Sequence, residues 1–253
     1  MKRLEGKITV IAGAGCGFGM SRGFPEAFAK EGSHLVLNYY GDQDDEMMNF
    51  QTSLEKKGIR CLLVKGDISK EATARQLIDT AIQTFGRVDI LINNAGISEP
   101  KLLQELNFDV WKRTIDINLN SVFLTCRAAI PYMIEQRYGR IINIASQVGQ
   151  KGAVEHCHYG AAKAGMIGFT KSLAREMGGY GITVNCIAPG PIRTQLSKQT
   201  SQEWLEKKAS ELVIPRFGTI EEVIPSAIFL ASEPDGNLYT GQTLGPNCGD
   251  VML

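Results

Sequence analysis

Three polar residues in the second half of the chain, Ser146, Tyr159 and Lys163, have the types and the spacing of a proton-transfer site. The Ala- and Gly-rich stretch after Tyr159 is typical of the start of a helix, where residues four apart lie one above the other. A nearby ammonium group lowers the pKa of a phenol from about 10 toward the range in which acid–base catalysis is efficient. Ser146 could donate a hydrogen bond to the same substrate oxygen. The pattern predicts a tyrosine general acid/base, but a Tyr-x-x-x-Lys pair alone is also common on surface helices.

A cluster of glycines near the N-terminus could bind a phosphate group. The β-branched segment 7–12 is typical of a buried strand, and it leads directly into Gly13-Ala14-Gly15-Cys16-Gly17-Phe18-Gly19. A glycine-rich turn between a strand and a helix lets the backbone approach a pyrophosphate, and the helix N-terminus behind it favours an anion. The glycine spacing differs from the G-x-G-x-x-G dinucleotide pattern, so an ordinary tight turn is the alternative for this motif alone.

The elements that must position these residues alternate between strands and helices. This alternation indicates βαβ units and a parallel sheet, and therefore an α/β fold. Ligands of such sheets bind beyond the carboxyl ends of the strands, which is where Gly13, Asp67 and Asn94 fall. The predicted strands are 7–12, 33–38, 60–67 and 88–92, and the predicted helices among them are 50–57 and 71–85.

Five motifs follow one another along nearly the whole chain. They are the glycine loop, Asn93-Asn94-Ala95-Gly96, Asn118, the set Ser146, Tyr159 and Lys163, and Pro189-Gly190-Pro191-Ile192-Arg193-Thr194. Each is unspecific by itself, but in this order they resemble the motifs of the short-chain dehydrogenase/reductase family. The resemblance implies one domain, residues 1–253, with a Rossmann-like doubly wound parallel β-sheet and helices on both faces.

The resemblance also implies a hydride transfer between a nicotinamide cofactor, NAD or NADP, and a secondary alcohol or ketone. Tyr159 would be the general acid/base, and Lys163 would lower its pKa and hold the nicotinamide ribose. Ser146 would orient the substrate oxygen, and Asn118 would bind a water that links Lys163 to solvent. Four catalytic residues are thus expected: Asn118, Ser146, Tyr159 and Lys163.

By the same resemblance, the glycine loop would hold the pyrophosphate, and Asp67 would accept from the adenine amino group. The loop after residue 188 would seat the nicotinamide. The implied cofactor contacts are Gly13, Cys16, Gly17, Phe18, Gly19, Tyr39, Asp67, Ile68, Asn94, Ala95, Gly96, Tyr159, Lys163, Pro189, Gly190, Ile192 and Thr194.

The choice of cofactor slightly favours NAD. Relatives that prefer NAD place an acid after the second strand, where this chain has Tyr39. Relatives that prefer NADP place basic residues at positions that correspond to Cys16 and Tyr40. The acid-rich segment 42–45 follows, so a 2′-phosphate would meet negative surroundings. Arg22 is the nearby cation that could still bind such a phosphate.

Two segments depart from the family pattern. The stretch between Gly19 and Gly32 is longer than usual and contains Pro25, and proline breaks the interior of a helix. The first helix is therefore expected to start late or to kink near residues 23–25. Close to the C-terminus, Gly245-Pro246-Asn247-Cys248-Gly249 replaces the usual Val-Asp-Gly-Gly, in a region that often contributes to subunit contacts.

Composition argues against several classes of function. The chain has 27 acidic residues and 27 Lys plus Arg without a basic tract, which argues against a nucleic-acid partner. No apolar run approaches the ~18 residues that span a bilayer, and no signal peptide precedes the first strand. We therefore expect a cytoplasmic protein without a membrane partner. The cysteines form no C-x-x-C pair and the histidines complete no ligand spacing, so no metal site is expected.

Polar residues near the expected substrate mouth favour a small polar substrate, such as a sugar, polyol or hydroxy acid. The alternative is that these side chains face solvent. A cap over the pocket is expected at about 194–213, with a helix around 202–212. The expected substrate contacts are Ser146, Gln147, Gln150, His156 and Tyr159.

Other functions and the state of assembly stay open at the level of sequence. A 3-oxoacyl-carrier-protein reductase is the main alternative, and the surface cations Arg127, Arg137 and Arg175 would suit its acidic carrier. A non-catalytic nucleotide-binding regulatory protein is the rival from another class, but the intact catalytic set favours an enzyme. A sugar epimerase would need a longer C-terminal region. The resemblance implies a homotetramer or a dimer, with helices before Gln136 and from Tyr159 to about Met177 as contact surfaces.

Overall fold

Short runs of buried, mostly β-branched residues form the strands, and every strand pairs in parallel with its neighbours in one sheet. The computed structural model describes residues 2–15, 19–193 and 202–252. Its strands are β1 (Ile8–Ala12), β2 (His34–Tyr39), β3 (Cys61–Lys65), β4 (Ile90–Asn93), β5 (Gly139–Ile144), β6 (Ile182–Ile187) and β7 (Thr243–Leu244). Their order in the sheet is β3-β2-β1-β4-β5-β6-β7.

Helices cover both faces of this sheet, which explains why the central strands are apolar on both sides. One buried cluster packs α3, α5 and α7 on one face, and a second packs α1, α2 and α9 on the other. Among the described residues, no helix is both long enough and apolar enough to cross a membrane. The helices are α1 (Met20–Lys30), α2 (Asp44–Glu55), α3 (Glu71–Phe85), α4 (Phe108–Ile115), α5 (Ser121–Gln136), α6 (Val148–Lys151), α7 (Cys157–Met177), α8 (Gln202–Ser210) and α9 (Ile220–Ala231).

The strand order reverses between β1 and β4, which creates a crevice at the carboxyl ends of the strands. From β1 the chain moves outward through β2 to β3, and it then returns to β4 and continues to β5 and β6. Ligands of open α/β sheets bind at such a switch point. Gly13, Asn94 and Ser146 each follow a strand that ends at this crevice. The predicted doubly wound parallel α/β fold is confirmed.

The first helix does not start late, so that half of the prediction is wrong, while the alternative of a kink near residues 23–25 stays a prediction. α1 begins at Met20, directly after Gly19, and runs through Pro25 to Lys30. Proline cannot donate the usual hydrogen bond to the residue four positions earlier, here the carbonyl of Ser21. That carbonyl instead accepts from the backbone N–H of Gly15, at 3.3 Å. The helix therefore tolerates Pro25 because the glycine loop satisfies the carbonyl that proline leaves unpaired.

Candidate active site

Tyr159 and Lys163 lie one turn apart near the start of α7, beside the carboxyl end of β5. The Lys163 side chain is buried, and its Nζ donates to the carbonyl of Ile144, the last residue of β5, at 2.6 Å. The same Nζ is 5.7 Å from the ring centroid of Tyr159. Ser146 follows β5, accepts from the backbone N–H of Val148 at 3.1 Å and hydrogen-bonds with Tyr159. The structure thus brings together these three residues of the predicted catalytic set.

Burial dominates the titration of both Tyr159 and Lys163. It lowers the pKa of Lys163 to about 8. It also raises the pKa of Tyr159, although the hydrogen bond with Ser146 acts in the opposite direction. The raised pKa of Tyr159 differs from the lowering expected from Lys163, because desolvation of the phenolate is the largest cause and Nζ of Lys163 is directed at the Ile144 carbonyl. A phenol in this state is protonated at neutral pH and suited to donate its proton.

Asn118 completes the catalytic set from a π-helical turn between α4 and α5, where it is fully buried. Its Nδ2 donates to the carbonyls of Ile97 and Thr114, at 2.9 and 3.0 Å. Its Oδ1 is also buried and has no hydrogen-bond partner among the described residues. A Cβ on Gly96 would lie 2.8 Å from that Oδ1 and 3.5 Å from Nζ of Lys163. Gly96 therefore keeps open a small polar space, which suits a bridging water of the kind that the resemblance implies.

The glycine loop is packed against, and hydrogen-bonded to, the segment that follows β4. Gly13 has φ +82°, and a Cβ there would lie 2.4 Å from Cα of Ala95. Asn94 donates from Nδ2 to the carbonyl of Gly13, at 2.8 Å. At Gly19, φ is +119° and a Cβ would meet nothing within 4 Å, so the space at the start of α1 is open. This loop fits a dinucleotide phosphate, although three predicted contacts, Cys16, Gly17 and Phe18, lie outside the described residues.

The loop after β6 forms another wall of the crevice. Pro189 is buried, and Gly190 has no room for a side chain, since a Cβ there would lie 2.5 Å from Cα of Asn247. Ile192 forms an isolated parallel bridge with the segment before α9. These positions agree with the predicted nicotinamide loop, of which Thr194 lies outside the described residues.

The adenosine end of the crevice contains a cation that the sequence analysis missed. Tyr39, the last residue of β2, donates its phenol proton to Oδ1 of Asp44 at 2.6 Å. Lys65, which lies opposite Tyr39 in the register of β2 and β3, donates to Oδ2 of Asp44, also at 2.6 Å. Only parallel pairing brings Lys65 there, and its position near the carboxyl end of the predicted strand 60–67 is the signal that could have found it. Arg22, the cation expected from sequence, pairs with Glu26 at 2.7 Å.

Asp67 is positioned by an ion pair from α4. Its Oδ1 accepts from the backbone N–H and the hydroxyl of Ser69, and its Oδ2 accepts from Nη1 of Arg113 at 2.8 Å. Burial acts to raise the pKa of Asp67, but the bonds from Ser69 and Arg113 lower it below its ordinary value. The carboxylate therefore stays charged and fixed in direction. The neighbouring Ile68, also a predicted contact, places its side chain in the core.

The predicted polar substrate residues are more buried than solvent-facing side chains would be. Gln147 is buried and Gln150 is partly buried, and the Oε1 of each has no hydrogen-bond partner among the described residues. The ring of His156 meets that of Tyr159 edge to face at 6.0 Å. His158, which the sequence analysis did not select, is fully buried, and burial lowers its pKa.

The predicted cap is described in part. Of residues 194–213, those at 194–201 lie outside the described residues, whereas Gln202–Ser210 form α8. In the described part of the chain, no group of three or more His, Cys, Asp or Glu residues could hold a metal ion.

Comparisons with known proteins agree with this geometry over the whole chain. The model of the family described as short chain dehydrogenase matches residues 7–204. A 3-oxoacyl-[acyl-carrier-protein] reductase of Synechocystis is 35% identical over 253 residues, which is 100% of each chain. The reductase of that name from Thermotoga maritima is 35% identical over 251 residues, 99% of this chain and 100% of the other.

A solved structure gives the same result for the fold. The crystal structure of a blue fluorescent protein from a metagenomic library, in complex with NADPH, superposes with a TM-score of 0.91. It is 31% identical in sequence and covers 99% of this chain and 100% of that chain. With the catalytic residues and the glycine loop in place, these likenesses identify the protein as a nicotinamide-dependent oxidoreductase of the short-chain dehydrogenase/reductase family.

Proposed function

We propose that the protein is an NADPH-dependent reductase that converts a 3-oxoacyl thioester, carried on an acyl carrier protein, to the 3-hydroxyacyl thioester. The observation that carries this proposal is the full-length likeness to reductases of that name, at 35% identity over 100% and 99% of this chain. This proposal replaces the small polar substrate that the sequence favoured. The polar residues on which that expectation rested are partly or fully buried and do not by themselves select a sugar or polyol.

In the proposed mechanism, Ser146 and Tyr159 both hydrogen-bond to the 3-oxo oxygen of the substrate. NADPH, when bound, supplies the hydride to the carbonyl carbon. Tyr159 donates its proton to the oxygen on which negative charge develops, and its raised pKa keeps the phenol protonated until that step. The buried Lys163, whose pKa is about 8, holds the cofactor ribose and returns a proton toward Tyr159. Asn118 presents its unpaired Oδ1 to the water through which that proton is replaced.

NADPH is proposed over NADH because the acid-rich segment after β2 is less negative than its sequence indicates. Lys65 compensates the charge of Asp44, and Arg113 of α4 compensates the charge of Asp67. A 2′-phosphate therefore meets at least one cation, Lys65, that is 44% exposed and able to turn toward it. The NADPH in the metagenomic relative supports the same choice.

The test is an assay of NADPH consumption with acetoacetyl-acyl carrier protein, beside free acetoacetate and a panel of sugars and polyols. We expect turnover of the carrier-bound ketone that exceeds turnover of every free substrate, and an NADPH preference over NADH. The Tyr159→Phe variant is the matched control, since it keeps the ring but cannot donate the proton. Oxidation of a polyol or sugar at a higher kcat/KM than reduction of the thioester would contradict the proposal.

The location and assembly expected from sequence belong to the same proposal. We propose a cytoplasmic enzyme that assembles as a homotetramer or homodimer, with α5 and α7 as contact surfaces. Small exposed residues on α7, among them Ala161, Ala164 and Gly168, leave room for the close approach of a second helix. Light scattering of the purified protein tests the assembly, and a monomeric mass would contradict it. Cell fractionation tests the location.

A further inference from the structure

Four buried polar side chains form a continuous row of hydrogen bonds between α5 and α7. The hydroxyl of Thr125 on α5 donates to Oδ1 of Asn93 at 2.7 Å, and Nδ2 of Asn93 donates to Oδ1 of Asn143 at 2.8 Å. Nδ2 of Asn143 in turn donates to Oγ1 of Thr170 on α7, also at 2.8 Å. Asn93 and Asn143 are paired in the register of β4 and β5, and no member is more than 2% exposed. The polar row formed by these four residues therefore links two helices across two neighbouring strands.

The polar row gives α7 a second attachment to β5, next to the one that Lys163 makes. Lys163 and Thr170 are both buried on α7, about two turns apart. Nζ of Lys163 donates to the carbonyl of Ile144. Thr170 accepts from the side chain of Asn143, the residue directly before Ile144. Because hydrogen bonds at two points along a helix fix its position along the strand, Thr170 helps to determine where Lys163 lies.

At its other end, the polar row holds the helical stretch that carries Asn118. Thr125 lies on α5, which continues directly from the π-helical turn that contains Asn118. Oδ1 of Asn118 and Nζ of Lys163 both border the space beside Gly96, since a Cβ there would lie 2.8 Å from the first atom and 3.5 Å from the second. A space of this size accepts a bridging water only while the two helices keep their separation.

Stability alone does not require polar residues in this part of the core. When both partners of a buried hydrogen bond are replaced together by apolar groups of the same shape, the change in stability can be close to zero. What the polar row adds is direction, because apolar burial is non-directional, whereas a hydrogen bond weakens steeply as its geometry changes.

We infer that the polar row is a positioning device for proton transfer: it sets the separation of α5 and α7 and so holds Asn118 and Lys163 on either side of one bridging water. Its four members are too buried to contact a substrate. They are positioning residues that act through Asn118 and Lys163.

The Thr170→Val variant tests this inference, because valine has nearly the shape of threonine but cannot accept from Asn143. We expect kcat to fall about tenfold, the effect of a displacement smaller than 1 Å, and Thr170→Ser, which restores the hydroxyl, should recover most of the loss. Thr9→Val is the matched control, since it removes another fully buried hydroxyl, bonded to Ser33 at 2.6 Å near the amino end of β1. Both valine variants should unfold at lower denaturant concentrations, but only Thr170→Val should lose turnover. An equal fall in kcat in Thr9→Val, or no recovery in Thr170→Ser, would overturn the inference.

The pH dependence of turnover separates positioning from a loss of stability. Burial lowers the pKa of Lys163 to about 8. A shift of α7 would bring Lys163 into contact with water, and its pKa should then rise toward the ordinary value of about 10.4. The alkaline inflection in kcat should therefore move to higher pH in Thr170→Val and stay in place in Thr9→Val. The same inflection in both variants would contradict the positioning role.

The Thr125→Val variant tests the α5 end of the polar row, and it remains informative if Thr170→Val fails to fold. Alone, it should lower kcat by about threefold to tenfold. The double variant should lose little more than the more impaired single variant, because residues that act as a unit have non-additive effects. Losses that multiply would show that the two ends act separately and would refute the inference.

The inference rests on the proposed function only for the substrate of the assay. Since Lys163 holds the cofactor ribose in the proposed mechanism, NADPH affinity should fall about threefold in Thr170→Val, with no substrate present, and stay unchanged in Thr9→Val. Nicotinamide fluorescence titration measures both affinities. Absence of thioester turnover in the unaltered protein would count against the proposed function, whereas equal NADPH affinities in the two variants would count against the polar row.

Discussion

At the catalytic end of the crevice, buried side chains are held by backbone carbonyls, whereas at the adenosine end exposed side chains are held by one another. Lys163 is bonded to the carbonyl of Ile144 in β5, and Asn118 is bonded to two carbonyls, one in the loop after β4 and one in α4. At the other end, Asp44 is 48% exposed and takes its bonds from Tyr39 and Lys65. The first arrangement is buried and shielded from water, and the second depends on ion pairs that water and salt screen.

This difference separates the chemistry of the enzyme from its choice of cofactor. Buried polar groups without compensating partners are destabilising, so the catalytic end tolerates few substitutions. Exposed ion pairs contribute little to stability, so the adenosine end can change its charges without loss of the fold. We therefore expect substitutions at the catalytic end to change turnover strongly and substitutions at the adenosine end to change cofactor affinity modestly.

The largest effect is expected for Tyr159→Phe. The variant should lose about 10³-fold in kcat, because general acid catalysis contributes on that order and the phenyl ring cannot supply the proton. Cofactor affinity should stay nearly unchanged, since the hydroxyl alone is removed. Nicotinamide fluorescence titration beside steady-state kinetics checks both parts, and a variant that retains normal turnover would contradict the catalytic assignment.

A smaller but still large loss is expected for Gly96→Ala. The added Cβ would lie 2.8 Å from Oδ1 of Asn118, closer than real Cβ atoms approach, and 3.5 Å from Nζ of Lys163. We expect kcat to fall by about 10²-fold, the cost of a displacement of about 1 Å at a catalytic centre. Gly179→Ala is the matched control, because a Cβ on that exposed glycine meets nothing within 4 Å. Equal activity of the two variants would mean that the space beside Asn118 is not used.

At the adenosine end, Lys65→Ala and Asp44→Asn should act in opposite directions. Loss of Lys65 leaves Asp44 uncompensated and should weaken NADPH binding about three- to tenfold, whereas Asp44→Asn should strengthen it by a similar or smaller factor. NADH affinity should change less in both variants, because NADH lacks the 2′-phosphate. Fluorescence titration at low and high salt measures these effects. Equal changes in the affinities for NADPH and NADH would contradict a role of Lys65 in cofactor choice.

The smallest effect concerns stability in mild acid, to which two histidines contribute, one at the catalytic end and one at the amino end of β2, away from the crevice. Burial lowers the pKa of His158 beside Tyr159, and burial followed by the charge of Arg60 lowers the pKa of His34 in β2. A histidine whose pKa is lower in the folded protein than in the unfolded chain does not affect stability at a pH above about 6.5, its pKa in the unfolded chain. As the pH falls below that value, the unfolded chain binds the proton more readily, and the stability of the protein decreases.

Denaturant unfolding at pH about 7.5 and about 5.5 should therefore differ by about 1 kcal/mol or less per histidine. His34→Gln should reduce this difference without a change in kcat. Carboxylates act at lower pH than the histidines. The ion pair with Arg216 lowers the pKa of Glu222 to about 2. The stability that this pair contributes is therefore lost only as the pH falls below about 4.5, the ordinary pKa of a glutamate. Stability that is flat from pH about 7.5 to 5.5 would contradict the histidine assignment.

The sequence by itself determined the fold class and the catalytic chemistry. Strands rich in β-branched residues, alternating with helices, can bury their apolar faces only in a covered parallel sheet. A glycine loop after the first strand, and a Tyr and a Lys one helical turn apart, are local patterns, so the chain shows them without three-dimensional information. Prediction failed locally at Pro25, because the hydrogen bond that satisfies Ser21 comes from Gly15 in the glycine loop.

Only the tertiary structure decided the electrostatics of the site and the pairing of its distant charges. The pKa of Tyr159 is raised by burial, which depends on every element packed around it, against the opposing hydrogen bond with Ser146. Lys65 reaches Asp44 through strand pairing, and Asp250 reaches Lys151 and Lys208 because the C-terminal segment returns to the site. These pairs join residues far apart in the chain, and charge interactions depend on distance and dielectric surroundings in space. No spacing along a sequence specifies either quantity.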